Sequence, residues 1–266
     1  MLYVLQIAQM ELTDLRLAVL IDADNVSHTY VKEMLQEIAR YGTPTIKRIY
    51  GDWTQPNLSG WKKILLENAV TPVQQYAYTQ GKNSTDSAMI IDAMDILYTG
   101  KADGFCIVSS DCDFTRLATR LREAGVKVIG MGEKKTPQPF IASCDKFIYL
   151  EILMPQKTKK ALPKKEKNTH SGPEEHETVK QEKKLPEDIV ELIESSVEDL
   201  ADDAGWAYLG DIGNLLLKKC PSFDSRNYGY RKLTQLMAAV GTLEIDQRDT
   251  GNKTVKHIYI RLKSVG

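Results

Sequence analysis

Four aspartates stand where a carboxylate can do chemistry. The run LAVLID (17–22) ends on Asp22. The run IVSSDCDF (107–114) breaks from apolar residues into Ser109, Ser110, Asp111 and Asp113, and a new apolar periodicity starts at once. Asp86 opens a third stretch, NSTDSAMIIDAMDILY (83–98). At ~100° per residue, Ile90, Ala93 and Leu97 lie within about 40° of Asp86 on a helix, so Asp86 shares the inward face. Asp92 and Asp95 fall on the opposite, solvated side. Carboxylates gathered at one rim repel one another, and a divalent cation relieves that repulsion. Hard oxygen ligands suit Mg²⁺ or Mn²⁺, ions that activate water and stabilise charge on a transferring phosphate. Taken singly, such an aspartate is ordinarily a cap or turn residue, and Asp24 and Asp113 both read as N-caps of the helices that follow them. The joint placement at strand ends is what points to a site.

The elements that must position these groups follow from periodicity. Strands are expected over 17–22, 45–50, 73–78, 104–109, 126–131 and 146–150, with helices over 29–40, 60–68, 85–98 and 114–123. Strands alternating with helices make an α/β domain, a parallel sheet with helices on both faces. The runs LAVLI and FCIV suit central strands buried on both sides. Sites in open parallel sheets form outside the carboxyl ends of the strands, which sends Asp22 and Asp111 to one edge. Residues 1–14 read as a loose tail or an extra helix.

Beyond this domain, taken as 15–152, the composition changes. Residues 153–185 carry few apolar side chains and many charges, and cannot bury enough surface to offset chain entropy, so they read as a charged flexible linker. Periodicity returns over 186–262. Helices at 186–201, 209–219 and 226–239 (capped by Ser225) precede strands at 242–246 and 256–262, a small α+β winged-helix arrangement containing a helix-turn-helix pair. Arg226, Tyr228, Tyr230, Arg231 and Lys232 interleave stacking rings with positive charge, as in single-stranded nucleic-acid surfaces. Arg248, Lys253 and Lys256 charge the wing, and Trp206 reads as a core anchor.

Bulk properties narrow the class. Lys+Arg 35 against Asp+Glu 36 leaves a net charge of −1, so nucleic-acid binding must rest on local patches. Cys106, Cys112, Cys144 and Cys220 form no C-x-x-C pair, which speaks against zinc and fits reduced thiols in the cytoplasm. The start lacks a basic lead and a cleavage site, and no run reaches ~18 apolar residues, so neither a signal peptide nor a membrane partner is expected.

Three motifs together resemble the NYN domain, a LabA-like branch of the PIN-like ribonucleases: VLIDADN (19–25), KNSTD (82–86) and SSDCDF (109–114). The resemblance spans roughly 15–150 and implies a PIN-like, Rossmannoid sheet. It implies Asp22, Asp86 and Asp111 as catalytic metal ligands, with Asp113 a further ligand or a supporting carboxylate. Asn25 would orient a carboxylate or the substrate, and Ser110 and Lys82 would contact phosphate. KNSTD departs from the family's commoner glycine and apolar residue before the aspartate, which bears on the aim of Asp86. The segment YLGDIGNLLLKKCPSFDSRNYGYRKLTQLM (208–237) resembles the LOTUS (OST-HTH) module, which implies binding of RNA, single-stranded or structured, or of a protein partner. A metal-dependent ribonuclease with a C-terminal recruitment module is the expected function. Two alternatives stay open on the residues alone. One is a non-catalytic RNA-binding scaffold. The other is a haloacid-dehalogenase-type phosphatase, because AVLIDADNV fits D-x-D-x-V with Asp22 as nucleophile and Asp24 as acid.

Overall fold

The computed structural model describes residues 14–76, 84–154, 185–249 and 256–263. The expected linker, the 1–14 tail, Lys82 and Lys253 lie wholly or almost wholly outside these. Aliphatic and β-branched runs form β1 (Arg16–Asp22), β2 (Thr43–Gly51), β3 (Thr71–Gln74), β4 (Gly104–Val108), β5 (Lys127–Gly132) and β6 (Lys146–Tyr149). They pair in parallel in the order β3-β2-β1-β4-β5-β6. This is the doubly wound order, in which the winding direction reverses between β1 and β4.

Helices cover both faces because the strands are apolar on both. Helices α1 (Val31–Ile38) and α2 (Trp61–Asn68) close one face, over Val19, Ile21, Cys106 and Met131. Helices α3 (Ser84–Tyr98), α4 (Thr115–Glu123) and α5 (Gln138–Ala142) close the other, over Leu20, Phe105, Ile107 and Phe147. The short α5 carried no periodicity long enough to be expected.

The second domain packs α6 (Glu187–Glu198), α7 (Leu209–Lys219) and α8 (Leu233–Ala239) against an antiparallel sheet of β7 (Ala207–Tyr208), β9 (Lys256–Leu262) and β8 (Leu243–Asp249). Its third helix is shorter than its periodicity predicts. The Asp224 side chain accepts the Arg226 N–H at 2.9 Å and starts a 3₁₀ turn over Ser225–Tyr228. Gly229 then takes φ 89°, which a right-handed helix cannot continue, and helical structure resumes only at Leu233. Trp206 is no core anchor. It is half-buried, with the Arg248 and Arg261 guanidinium groups 5.4 and 4.5 Å from its ring. Asp92 also departs from expectation, since it accepts hydrogen bonds from the buried Tyr50 hydroxyl and from Arg48. Neighbouring β2 supplies partners that helix periodicity alone does not reveal.

The two domains touch along the β6 edge. The Phe147 N–H donates to the Pro221 carbonyl at 2.8 Å, which covers part of an otherwise open strand edge. The Arg226 guanidinium donates to both Glu37 oxygens, at 3.0 and 2.7 Å, and to Asp224 at 2.7 Å. Burial pushes the Glu37 carboxyl up, but Arg226, with Arg40 and Tyr41, outweighs it and holds the group down at about 2. A carboxyl held below its ordinary range stabilises the fold above that range and loses the contribution as pH falls towards 2. This contact is therefore intact at neutral pH. Arg226→Ala removes the one guanidinium that bonds both Glu37 and Asp224, leaving the exposed Arg40 and the Tyr41 hydroxyl on Glu37 and only the more distant charge of Lys146 on Asp224. The expected outcome in urea unfolding is a loss of about 3 kcal/mol, while the exposed Arg231→Ala changes stability by no more than about 0.5 kcal/mol.

Candidate active site

The acids meet at the point where the winding reverses. Asp22 is the last residue of β1, and Ile21 pairs with Val108, the last residue of β4. The 109–114 turn therefore rises beside Asp22. Phe114, fully buried and 6.5 Å from the Phe140 ring, anchors the far end of that turn in the core. Asp86 reaches the same rim from the first turn of α3.

Asp22 is fully buried and held on three sides. Asn25 Nδ2 and Ser109 Oγ donate to its Oδ2 at 2.6 and 2.8 Å, and the Asp24 N–H donates to its Oδ1 at 3.0 Å. Burial raises its pKa, and these three donors only partly oppose that. Asp86 is 8% exposed, and its carboxyl is pushed up to about 6. Burial is the largest cause, followed by the negative charges of Asp22, Asp111, Asp113 and Asp24. Asp111, not Asp113, caps the turn that leads into α4, with its Oδ1 accepting the Asp113 N–H at 3.0 Å. The remaining oxygen of Asp111 is uncommitted to that cap. Asp113 is exposed. Asp24 caps nothing, because Ser27 takes that position, and its Oδ2 accepts from the Thr85 hydroxyl at 3.0 Å.

The other expected site residues divide. Asn25 meets Asp22 directly. Ser110 is buried, and its Oγ accepts the Glu133 N–H at 2.9 Å, tying the turn to the end of β5. Lys82 lies outside the described residues. Arg226 is engaged by Glu37 and Asp224, and Tyr228 packs with its ring 6.0 Å from Phe223, so both serve the domain contact and the second core. Tyr230 is half-buried on that core, whereas Arg231 and Lys232 are exposed. Ser109 and Thr85 were missed as members of the site. The paired serines after an apolar strand were the available signal for Ser109, and nothing local marks Thr85.

The donor set suits a hard divalent ion. Asp22, Asp86 and Asp111 offer carboxylate oxygens only, and their crowding is what such an ion relieves. Among the described residues, Asp111, Cys112 and Asp113 are the one set of three whose candidate ligand atoms lie within 4.8 Å of one another, and Asp22 and Asp86 stand farther off than that. The soft, exposed Cys112 thiol suits Mg²⁺ or Mn²⁺ poorly. Mg²⁺ commonly takes only one or two carboxylates and completes its shell with water and phosphate, so a tight all-protein cage is not required.

A doubly wound sheet with acids at its switch point, followed by a winged-helix module, defines a two-domain α/β protein. The chain belongs to the NYN domain family, whose match covers residues 16–151, and an OST-HTH/LOTUS domain matches residues 180–255. No curated protein matches it. Among solved structures it is similar to a Vibrio parahaemolyticus protein of unknown function, at 20% identity over 52% of this chain and 94% of that one, TM-score 0.44. It is also similar to an uncharacterized protein from Nitrosomonas europaea, at 34% identity over 37% of this chain and 92% of that one, TM-score 0.28. A Chromobacterium violaceum protein matches at 34% identity over 32% of this chain and 87% of that one, TM-score 0.25. Among the described residues, no helix is long and apolar enough to cross a membrane.

The raised Asp86 carboxyl has a measurable cost. A group whose folded pKa lies above its unfolded value stabilises the fold at low pH and loses that contribution as pH rises through about 6. Asp86→Asn removes the ionised form. In EDTA at neutral pH, calorimetry should show the variant more stable by about 1–3 kcal/mol, with less gain on acidification than the wild type. A lower melting temperature for the variant under those conditions would contradict the crowding described above.

Proposed function

We propose that the protein is a ribonuclease that hydrolyses RNA phosphodiester bonds with a divalent cation, and that its C-terminal module binds or recruits the RNA. One observation carries this reading. The first domain of an NYN family chain gathers Asp22, Asp86, Asp111 and Asp113 at its switch point, with burial and mutual repulsion pushing Asp86 to about 6. A scaffold has no physical need for such crowding, which costs stability in the absence of a ligand. The family match also favours a nuclease over the phosphatase alternative.

In this proposal Asp22, Asp86 and Asp111 hold the ion, Mg²⁺ or Mn²⁺, with Asp113 beside them. When bound, the ion supplies positive charge that activates water and stabilises the anionic phosphate. Asn25 and Ser109 fix the Asp22 carboxylate in one orientation through bonds of 2.6 and 2.8 Å, so little reorganisation remains for the reacting state. Hydrolysis forms a bond between phosphorus and the oxygen of water and breaks the ester P–O bond. The water's proton leaves by way of a carboxylate open to solvent, for which the exposed Asp113 is our choice. The departing ester oxygen takes up a proton from solvent.

The test is cleavage of labelled single-stranded RNA with Mn²⁺, Mg²⁺ or EDTA, with p-nitrophenyl phosphate run in parallel. Cleavage should require the metal and fall by about 100-fold or more in Asp22→Asn and in Asp111→Asn. Cleavage that survives in Asp22→Asn or in EDTA would overturn the site. Turnover of p-nitrophenyl phosphate alone would return the phosphatase alternative.

A further inference from the structure

The carboxylates that make the site suitable for a cation make it a poor place to grip RNA. Without metal, that edge repels phosphate, so affinity for a polyanion has to come from another surface. The chain's net charge of −1 means that such a surface must be a local concentration of cations.

One stands out where the domains meet. A cleft of about 600 Å³ has Arg40 and Lys146 on the NYN side and Arg231, Lys232 and Lys256 on the C-terminal side. The acid that lines it, Asp224, bonds Arg226 at 2.7 Å, and the neighbouring Glu37 bonds Arg226 and Arg40. Arg226 thus absorbs most of the local negative charge. Lys146, Arg231, Lys232 and Lys256 form no ion pair with a described residue and leave the cleft positive. The Lys146 ammonium is half-buried, 5.5 Å from the Tyr41 ring, and desolvation lowers its pKa although the charges of Asp224 and Glu37 favour the cation. Tyr208, 38% exposed at the rim, offers a ring on which a base can stack.

We propose that this interdomain cleft is a composite groove for the sugar-phosphate backbone of single-stranded RNA, gripped by cations from both domains at a distance from the acids. It rests on the ribonuclease reading above. The volume lies in the range of ligand pockets, and the exposed Tyr208 ring suits an unpaired base, which a duplex would not offer. The distance follows from register. Arg40 precedes Thr43, which pairs with Arg16 at the start of β1, whereas Asp22 ends that strand. Six residue steps along β1 span about 20 Å. At roughly 3.4 Å per stacked nucleotide, an RNA must exceed about six nucleotides to occupy groove and acids together.

The experiment uses the full chain and two labelled RNAs, one of about twenty nucleotides and one of about five, on either side of that threshold. Binding is followed by fluorescence anisotropy in EDTA across a salt series, and cleavage is followed with Mn²⁺. The expected result is weaker binding of the long RNA, by about tenfold or more, in Arg231→Ala/Lys232→Ala/Lys256→Ala and, separately, in Arg40→Ala. The triple variant's salt slope should fall by about 2, at roughly 0.7 for each phosphate that is no longer neutralised. Lys146→Gln is a second NYN-side variant, in case Arg40→Ala perturbs the Glu37 contact. Cleavage of the long RNA should fall by a larger factor than cleavage of the short RNA in each of them. Losses confined to the C-terminal triple variant would overturn the composite groove, as would no RNA binding by the wild type or a preference for duplex. Variants that bind and cut the long RNA like the wild type, with cleavage still dependent on Asp22, would sink the groove and leave the nuclease standing. Binding losses as expected, with no metal-dependent cleavage, would do the reverse.

Discussion

The structure turns on the cost of holding several carboxylates in a partly desolvated place. Burial and like charge both oppose ionisation of Asp86, and burial does the same to Asp22. The surrounding structure answers with neutral donors. Asn25, Ser109 and the Asp24 amide bond Asp22, and the Asp113 amide bonds Asp111. Neutral donors hold a carboxylate in position without cancelling its charge, so the site remains negative and suited to a cation. An arginine in the same place would have satisfied the acids and ended any use for a metal.

The domain contact solves the same electrostatic problem in the opposite way. Glu37 and Asp224 are also shielded acids, but a single guanidinium binds both and holds Glu37 at about 2. The planar fork of arginine can satisfy two carboxylates at once, which a lysine cannot do with comparable geometry. One consequence is steric, because the C-terminal domain lies on the β6 edge rather than over the acids. The other is electrostatic, because acids neutralised at the contact leave the remaining cations beside it unopposed. Acidic and basic surfaces are thereby kept apart on a chain that is nearly neutral overall.

Much of the fold was legible from periodicity. The order of strands and helices in the first domain, the first two helices of the second and its final strands fell close to their expected positions, because a buried strand or an amphipathic helix writes its period into neighbouring residues. Errors appeared where a distant partner decided the outcome. Asp92 faces away from its own helix's core but meets Tyr50 and Arg48 of β2. The helix expected from 226 is broken by Gly229, whose left-handed φ is fixed by the turn that carries Arg226 into the domain contact. Arg226 looked like one more cation in a basic run and is instead the contact's central ion.

The sequence by itself determined an α/β domain with aspartates at strand ends and a winged-helix module after it, because these depend on residue type and local spacing. Only the tertiary structure decided which carboxylates share a field, that Ser109 holds Asp22, that Asp111 rather than Asp113 caps the turn, and which cations are spent on acids. The physical reason is range. Periodicity acts between residues a few positions apart, whereas charge and desolvation act through space between residues far apart in the chain, as with Asp22 and Ser109, 87 positions apart, or Glu37 and Arg226, 189 positions apart.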